Sequence, residues 1–137
     1  MASGWRQAVA ITLALLGQGW AMAAARETPF YLGADLSFAN EMQDCGATFR
    51  YHGKLVDPII LLKRRGGNLL RVRIWNNPTR THYSNLADVE RTIRRAKAAG
   101  LQVLLDFHYS DDWADGDKQY APAAWAGLST AAQAGID

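Results

Sequence analysis

Between residues 57 and 108 the chain passes twice from a helical to a strand-like hydrophobic period. Ile59, Ile60, Leu61 and Leu62 form an apolar block behind Asp57-Pro58, and Leu86, Val89, Ile93 and Ala96 recur at three- and four-residue spacing behind Asn85. Each block ends on glycine, Gly66-Gly67 in the first and Gly100 in the second, and a run alternating at every second position follows. Leu70, Val72 and Ile74 alternate with Arg71, Arg73 and Trp75; Val103, Leu105 and Phe107 alternate with Leu104, Asp106 and His108. Side chains repeat about every 3.6 residues on a helix and every second residue on a strand, so the pattern predicts two helix–strand units in series. A shift of 33 residues superposes them, laying Ile60 on Ile93, Gly67 on Gly100, Arg73 on Asp106 and Trp75 on His108.

The helix ends carry matching signals. Asp57 is an N-cap acid with proline at the first helical position, Asn85 is an N-cap with Asp88 three residues on, and glycine closes each helix in the left-handed conformation. Phe30 to Asp35 reads as a strand with no helix before it. Ser129-Thr130-Ala131-Ala132 reads as the start of another helix. Serial αβ units favour a parallel sheet with helices outside it. A strand between two helix layers is apolar on both faces, whereas here one face becomes charged toward the C-terminal end. That favours a β/α barrel, whose outer face meets helices and whose C-terminal rim carries the active site. A doubly wound open sheet is the alternative, but it leaves Arg71 and Arg73 hard to satisfy.

Ahead of this lie 25 residues of another character. Arg6, the apolar run Ala8 to Leu16 and the small residues Ala23-Ala24-Ala25 have the layout of a secretory signal peptide. An uncleaved anchor is the other reading, though the run is short for a membrane span. The expected organisation is therefore a signal peptide over 1–25 and a folded part over 26–137, exported to the periplasm or the exterior. That part holds 14 basic and 13 acidic side chains, a balance that argues against nucleic acid or a membrane surface as its main partner. Lys63-Arg64-Arg65 reads as the solvated end of a helix. Cys45, the single cysteine, permits no internal disulfide and is expected to be a small buried hydrophobe. No phosphate loop, nucleophile elbow or paired-cysteine motif is present, and Asp111 to Gly116 fails as a calcium loop because Trp113 occupies its third position. No cofactor and no metal are expected.

The candidate chemistry lies at the strand ends. Asp35, Arg73, Trp75, Asp106 and His108 all fall at predicted C-terminal ends. A guanidinium inside a barrel mouth needs carboxylates for its donors, with Asp35 and Asp106 as candidates and a carboxylate from a later strand as another. Arg73 therefore reads either as a support for catalysis or as half of a structural ion pair. His108 reads equally as a sugar ligand or a hydrogen-bonded structural residue. The following Tyr109-Ser110-Asp111-Asp112-Trp113-Ala114-Asp115 sets an aromatic ring among carboxylates. Such a ring packs on the apolar face of a sugar while the acids accept its hydroxyls, which makes Asp111 and Trp113 substrate-binding candidates. Tyr120 and Trp125 are expected to be packing residues.

Three segments then carry a resemblance. Gly33-Ala34-Asp35-Leu36-Ser37, Arg71-Val72-Arg73-Ile74-Trp75-Asn76-Asn77-Pro78 and the run Leu104 to Asp115 closely resemble glycoside hydrolase family 53, the endo-β-1,4-galactanases, and Lys118-Gln119-Tyr120, Pro122 and Trp125 continue the likeness. The resemblance implies a (β/α)8 barrel that cleaves β-1,4-galactan of type I arabinogalactan within the chain and with retention. It implies an acid/base glutamate on the fourth strand and a nucleophile on the seventh, their carboxyl groups about 5–5.5 Å apart. It implies that Arg73 supports the nucleophile and that Asp35, His108, Asp111 and Trp113 line the sugar cleft. Such a barrel needs about 250 residues, so 26–137 is expected to supply about three βα units and to be inactive alone. Both catalytic glutamates are expected beyond Asp137, and Glu41 and Glu90 match neither. A carbohydrate-binding module using Trp113, and a metal-dependent polysaccharide deacetylase centred on Asp106 and His108, are the competing readings.

Overall fold

The computed structural model describes residues 30–135. The segment read as a signal peptide lies outside them, and so does Asp137, after which the two catalytic glutamates are expected. The chain runs β1 (Gly33–Asp35), α1 (Ala39–Asp44), β2 (Arg50–Tyr51), β3 (Lys54–Leu55), α2 (Pro58–Arg64), β4 (Leu69–Ile74), α3 (Leu86–Ala98), β5 (Gln102–Phe107), a 3-10 turn (Ala123–Trp125) and α4 (Thr130–Gln133). Strands β1, β4 and β5 form one parallel sheet in that spatial order. Its β4–β5 register pairs Arg73 with Asp106 and Ile74 with Phe107. The 33-residue repeat is thus the ladder itself, each residue lying beside its counterpart in the other unit. Glycine is required at Gly33, where a Cβ would meet the carbonyl oxygen of Leu69 at 2.6 Å; β1 approaches β4 too closely there for any side chain.

The expected caps form. Asp57 accepts the backbone N–H groups of Ile59 and Ile60 at 2.8 and 3.3 Å, and Asn85 accepts that of Asp88 at 3.0 Å. Gly66 and Gly100 have φ of +89° and +71°. After each, the reversed chain bonds back onto the last turn, through Gly66 to Lys63 and Gly67 to Leu62, and through Gly100 to Lys97 and Leu101 to Ala96. These are Schellman closures, which satisfy the orphan carbonyls and turn the chain into the next strand. Ser129 caps α4 through the N–H of Ala132.

The core lies between the sheet and the two longer helices, with Ile59 of α2, Leu70 and Val72 of β4, Val89 and Ala96 of α3 and Leu101 packed together. Leu86 departs from the expected stripe and is exposed. Its place on α3 is taken by a buried polar set. Asn40 of α1 donates to Asp88 Oδ1 at 2.6 Å and to Thr92 Oγ1 at 2.8 Å, and it accepts from Arg95, which also binds Gln43 and Asp57 at 2.7 Å. Apolar periodicity could not reveal this face, because its adhesion is polar. Cys45 is likewise exposed rather than buried. It occupies the C-cap of α1, where the chain turns away from the core. The hairpin β2–β3 is an addition to the sequence reading. His52 and Gly53 both have positive φ, +48° and +76°, the conformation of a two-residue hairpin turn.

Candidate functional site

The face of the sheet turned away from the helices ends in a cluster built by three strands and the loop after β5. Alternation along β4 puts Arg71, Arg73 and Trp75 on this face, and the parallel register sets Asp106 beside Arg73. The two arginines have different fates. Arg71 takes both carboxylates, Asp35 through Nη1 and Asp106 through Nη2. Arg73, for which they are two of the candidate partners, pairs with neither. Its guanidinium carbon sits 4.1 Å from the ring centre of Phe38, 4.6 Å from that of Trp75 and 4.1 Å from that of Trp113. The residue is only 2 % exposed, and its Nε has no hydrogen-bond partner among the described residues. Depth accounts for Asp35, whereas Asp106 lies beside Arg73 in the ladder and its carboxylate turns down to Arg71. Arg71 is two residues below Arg73, level with Asp35 in the β1–β4 ladder, while Arg73 stands higher, where the loops bring in rings. Burial pulls the Arg73 guanidinium below its ordinary pKa, and the carboxylates of Asp35 and Glu41 partly oppose this.

A chain of polar contacts runs across the strand ends. Trp75 Nε1 donates to His108 Nδ1 at 3.1 Å, and His108 Nε2 meets Asp106 Oδ2 at 3.0 Å. An indole N–H can only donate, so Nδ1 accepts and the imidazole proton sits on Nε2, pointing at Asp106. Both ring nitrogens are thereby engaged, and Asp106 is shared with Arg71. Among the described residues no group of three or more His, Cys, Asp or Glu side chains is placed to hold a metal ion. Ser37 joins the network from below, its hydroxyl donating to Asp35 Oδ1 at 2.6 Å and accepting the N–H of Arg73 at 3.0 Å. Ser on the short loop after β1 gave no independent sequence signal of this role. Asp35 is held below the usual carboxylate range: burial raises it, but the Ser37 contacts and Arg71 outweigh that.

The loop after β5 is tied down by its acids. Asp111 accepts the N–H of Asn77 at 2.9 Å on one oxygen and that of Ala123 at 2.8 Å on the other. It therefore stitches the loops after β4 and β5 to the 3-10 turn. Asp112 accepts Lys118 Nζ at 2.8 Å and the N–H of Trp113, contacts that hold its pKa down to about 2. Tyr109 takes a left-handed φ of +46° directly after His108, a strained turn of the kind that clusters at functional sites. Trp113, anchored by this loop, touches Phe38, Trp75 and His108 at ring-centre distances of 5.7 to 5.9 Å and remains 44 % exposed. Beside it lies an open cleft of about 400 Å³ lined by His108, Tyr109, Asp115, Gln119, Tyr120 and Trp125 among others. Tyr120 and Trp125, expected to be packing residues, both border this cleft; Trp125 is half-buried and packs on Tyr109 at a ring-centre distance of 6.2 Å, while Tyr120 is 69 % exposed. Six of the seven candidates thus converge on one cluster, and Asp111 stands behind it. The glutamates expected beyond Asp137 have no counterpart among the described residues, whose Glu41 and Glu90 lie on α1 and α3 rather than at a strand end.

A family model described as glycosyl hydrolase family 53 matches residues 31–135. The arabinogalactan endo-beta-1,4-galactanase of Cellvibrio japonicus is 53 % identical over 122 residues, covering 89 % of this chain and 32 % of that protein. The endo-beta-1,4-galactanase of Bacillus subtilis is 44 % identical over 108 residues, covering 73 % of this chain and 25 % of its own length. Among solved structures, the GH53 catalytic domain of Ignisphaera aggregans superposes with a TM-score of 0.70 at 36 % identity, over 78 % of this chain and 32 % of that one. A fungal beta-1,4-galactanase superposes with a TM-score of 0.67 at 37 % identity, over 72 % and 30 %. The chain spans between a quarter and a third of the length of these relatives, and its parallel strands alternating with helices form part of their TIM barrel. The chain belongs to glycosyl hydrolase family 53.

Proposed function

We propose that the chain is the N-terminal part of the catalytic barrel of a secreted, retaining endo-β-1,4-galactanase that acts on the galactan of type I arabinogalactan. On this reading residues 1–25 are a signal peptide, and 26–137 supply the first three βα units and one wall of the sugar cleft. The observation that carries it is the convergence of Trp75, Trp113, His108 and Arg73 at the C-terminal ends of three parallel strands, in a chain of this family. Trp113 offers its exposed ring to the apolar face of a galactosyl unit. Asp106 can accept hydroxyls on Oδ1, the oxygen that Arg71 and His108 do not use, His108 lines the cleft with its ring held between Trp75 and Asp106, Asp35 holds the base of the network, and Asp111 sets the loop that carries Trp113.

Arg73 is assigned a supporting role. Its cation is fixed by three rings and lacks a carboxylate partner among the described residues, so it stands ready to hold a nucleophilic glutamate ionised and in place. The family pattern puts the acid/base on the fourth strand and the nucleophile on the seventh, both past Asp137 on this reading, and residues 30–135 form three strands of the barrel sheet. The 137-residue chain therefore does not cleave galactan alone, and the reading requires no cofactor. No described helix is long and apolar enough to cross a membrane.

The test is a chimera in which residues 26–137 replace the matching third of the Cellvibrio japonicus enzyme. The chimera is expected to release galacto-oligosaccharides from β-1,4-galactan, and residues 26–137 alone to release none. A folded chimera without activity, or hydrolysis by the short chain, overturns the proposal.

A further inference from the structure

The cations of the described residues divide sharply by place. Arg71, Arg80, Arg91, Arg94, Arg95 and Lys118 are each in an ion pair, and Arg73 is enclosed by rings. The six that remain, Arg50, Lys54, Lys63, Arg64, Arg65 and Lys97, are exposed and have no carboxylate partner among the described residues. All six lie at one end of the molecule, on the hairpin β2–β3 and at or beside the last turns of α2 and α3. In a parallel α/β arrangement the helix C-termini lie at the N-terminal ends of the strands, so this end is opposite the sugar cleft. Among the described residues, the acids without a cation partner include Asp111, Asp115 and Asp117 in the loop after β5. The molecule is electrically polar along the strand direction.

Half of this cationic end is preorganised. Lys63 Nζ donates to the carbonyl of Gly100 at 2.9 Å, Arg50 to that of Gly53 at 3.1 Å, and Arg65 to the hydroxyl of Tyr51 at 3.1 Å while its guanidinium lies 5.6 Å over that ring. These acceptors are neutral, so they orient the side chains without cancelling their charge. Lysine and arginine each carry about 2 kcal/mol of rotamer entropy, part of which is already spent here before any anion arrives. Favourable placement at a helix C-terminus accounts for Lys63, Arg64 and Lys97. It does not account for Arg50 and Lys54 on the hairpin.

We propose that this end is a docking surface for a linear carboxylated polysaccharide. The cations are spread over three elements, which suits a polymer rather than a small anion, and Tyr51 among them, with Arg65 over its ring and His52 against it, remains 39 % exposed and adds an aromatic surface for sugar C–H groups. Duplex nucleic acid buries its ring-binding faces, and a neutral galactan gives the cations nothing to bind. The inference rests on the galactanase reading for its polymer class, but it is tested without hydrolysis, so the two fail in separate assays.

The experiment is affinity electrophoresis of the full chain through gels containing polygalacturonate, repeated at rising salt. Retardation is expected at low ionic strength and is expected to fade as the Debye length shrinks from about 30 Å to about 8 Å. Lys63→Gln/Arg64→Gln should weaken binding by roughly tenfold or more, at about a factor of five per cation near an anionic surface. Arg80→Gln/Arg94→Gln removes the same charge elsewhere and should leave binding unchanged; Lys54→Gln/Lys97→Gln provides a second pair on the proposed face. Absence of retardation, equal losses in the face and control variants, or tighter binding to duplex DNA or phosphatidylserine vesicles at the same salt would overturn the proposal.

Discussion

Replacing Arg73 by methionine separates an arginine kept for function from one kept for stability. Three ring contacts, each worth roughly 0.5–1 kcal/mol when exposed and about 2 kcal/mol when desolvated, give the guanidinium about 2–5 kcal/mol in place. Against this stand several kcal/mol for taking the charge out of water and about 1–3 kcal/mol for the unpartnered Nε. The two sides nearly offset. Methionine fills a similar volume, keeps contact with the rings at roughly 0.3–1.5 kcal/mol per sulfur–aromatic pair, and carries no charge to desolvate. Arg73→Met should therefore leave unfolding free energy within about 1 kcal/mol of the parent or raise it, whereas Arg73→Ala, which opens a void, should lose about 2–4 kcal/mol. The depressed guanidinium pKa bears on this with a definite sign. A cation whose pKa falls on folding opposes folding at every pH where it is charged, which for arginine is the whole accessible range. Urea unfolding followed by far-UV circular dichroism is the assay, because Trp75 and Trp113 flank the substitution and would confound fluorescence. A loss above about 3 kcal/mol in the methionine variant, the cost of breaking a buried ion pair, would refute the reasoning. In the chimera the same change should lower kcat far more than it raises KM.

Three further outcomes follow from the fold. Asn40→Ala removes the donor to Asp88 and Thr92 and the acceptor of Arg95, and should cost about 2–4 kcal/mol in urea unfolding, since it strands buried polar partners. Gly33→Ala sets a Cβ 2.6 Å from the Leu69 carbonyl oxygen; it should destabilise by about 1–3 kcal/mol and weaken amide protection in β1 and the start of β4 in hydrogen exchange. Burial raises the Asp57 carboxyl, but Arg95 and the N–H groups of Ile60 and Ile59 outweigh it and hold the pKa below 3.8. Its contribution to stability should thus be fully present above the unfolded value of about 3.9 and be lost as pH falls through the folded one. Arg95→Ala should shrink that acid-dependent loss in a series of unfolding curves from pH 6 downward, and an unchanged acid limb would exclude the pair.

The sequence made legible what depends on period and on chain ends, and the candidate site shows where that legibility stops. Asp57, Asn85, Gly66 and Gly100 act through their own backbone neighbourhood, so their roles could be read locally. The 33-residue repeat even contained the strand register, because equivalent units in a parallel sheet lie side by side. Arg71 and Arg73 share a strand, a face and a residue type, and no local rule distinguishes them. What does so is tertiary placement, in which height along the strand decides the Asp35 pairing. Asp35 is level with Arg71 because β1 meets β4 in one register and not another. Phe38, Trp75 and Trp113 reach Arg73 because the chain turns just above it after each of the three strands. Both carboxylates go to the deeper arginine, Asp35 from its own level and Asp106 from the level of Arg73, and the rim arginine keeps its charge among rings. The displacement has a chemical consequence. An Arg73 already paired with Asp35 and Asp106 would have little capacity left for a further carboxylate. Relieved of both by Arg71, it retains free donors at the strand ends, where a catalytic carboxylate arriving from another strand would need them.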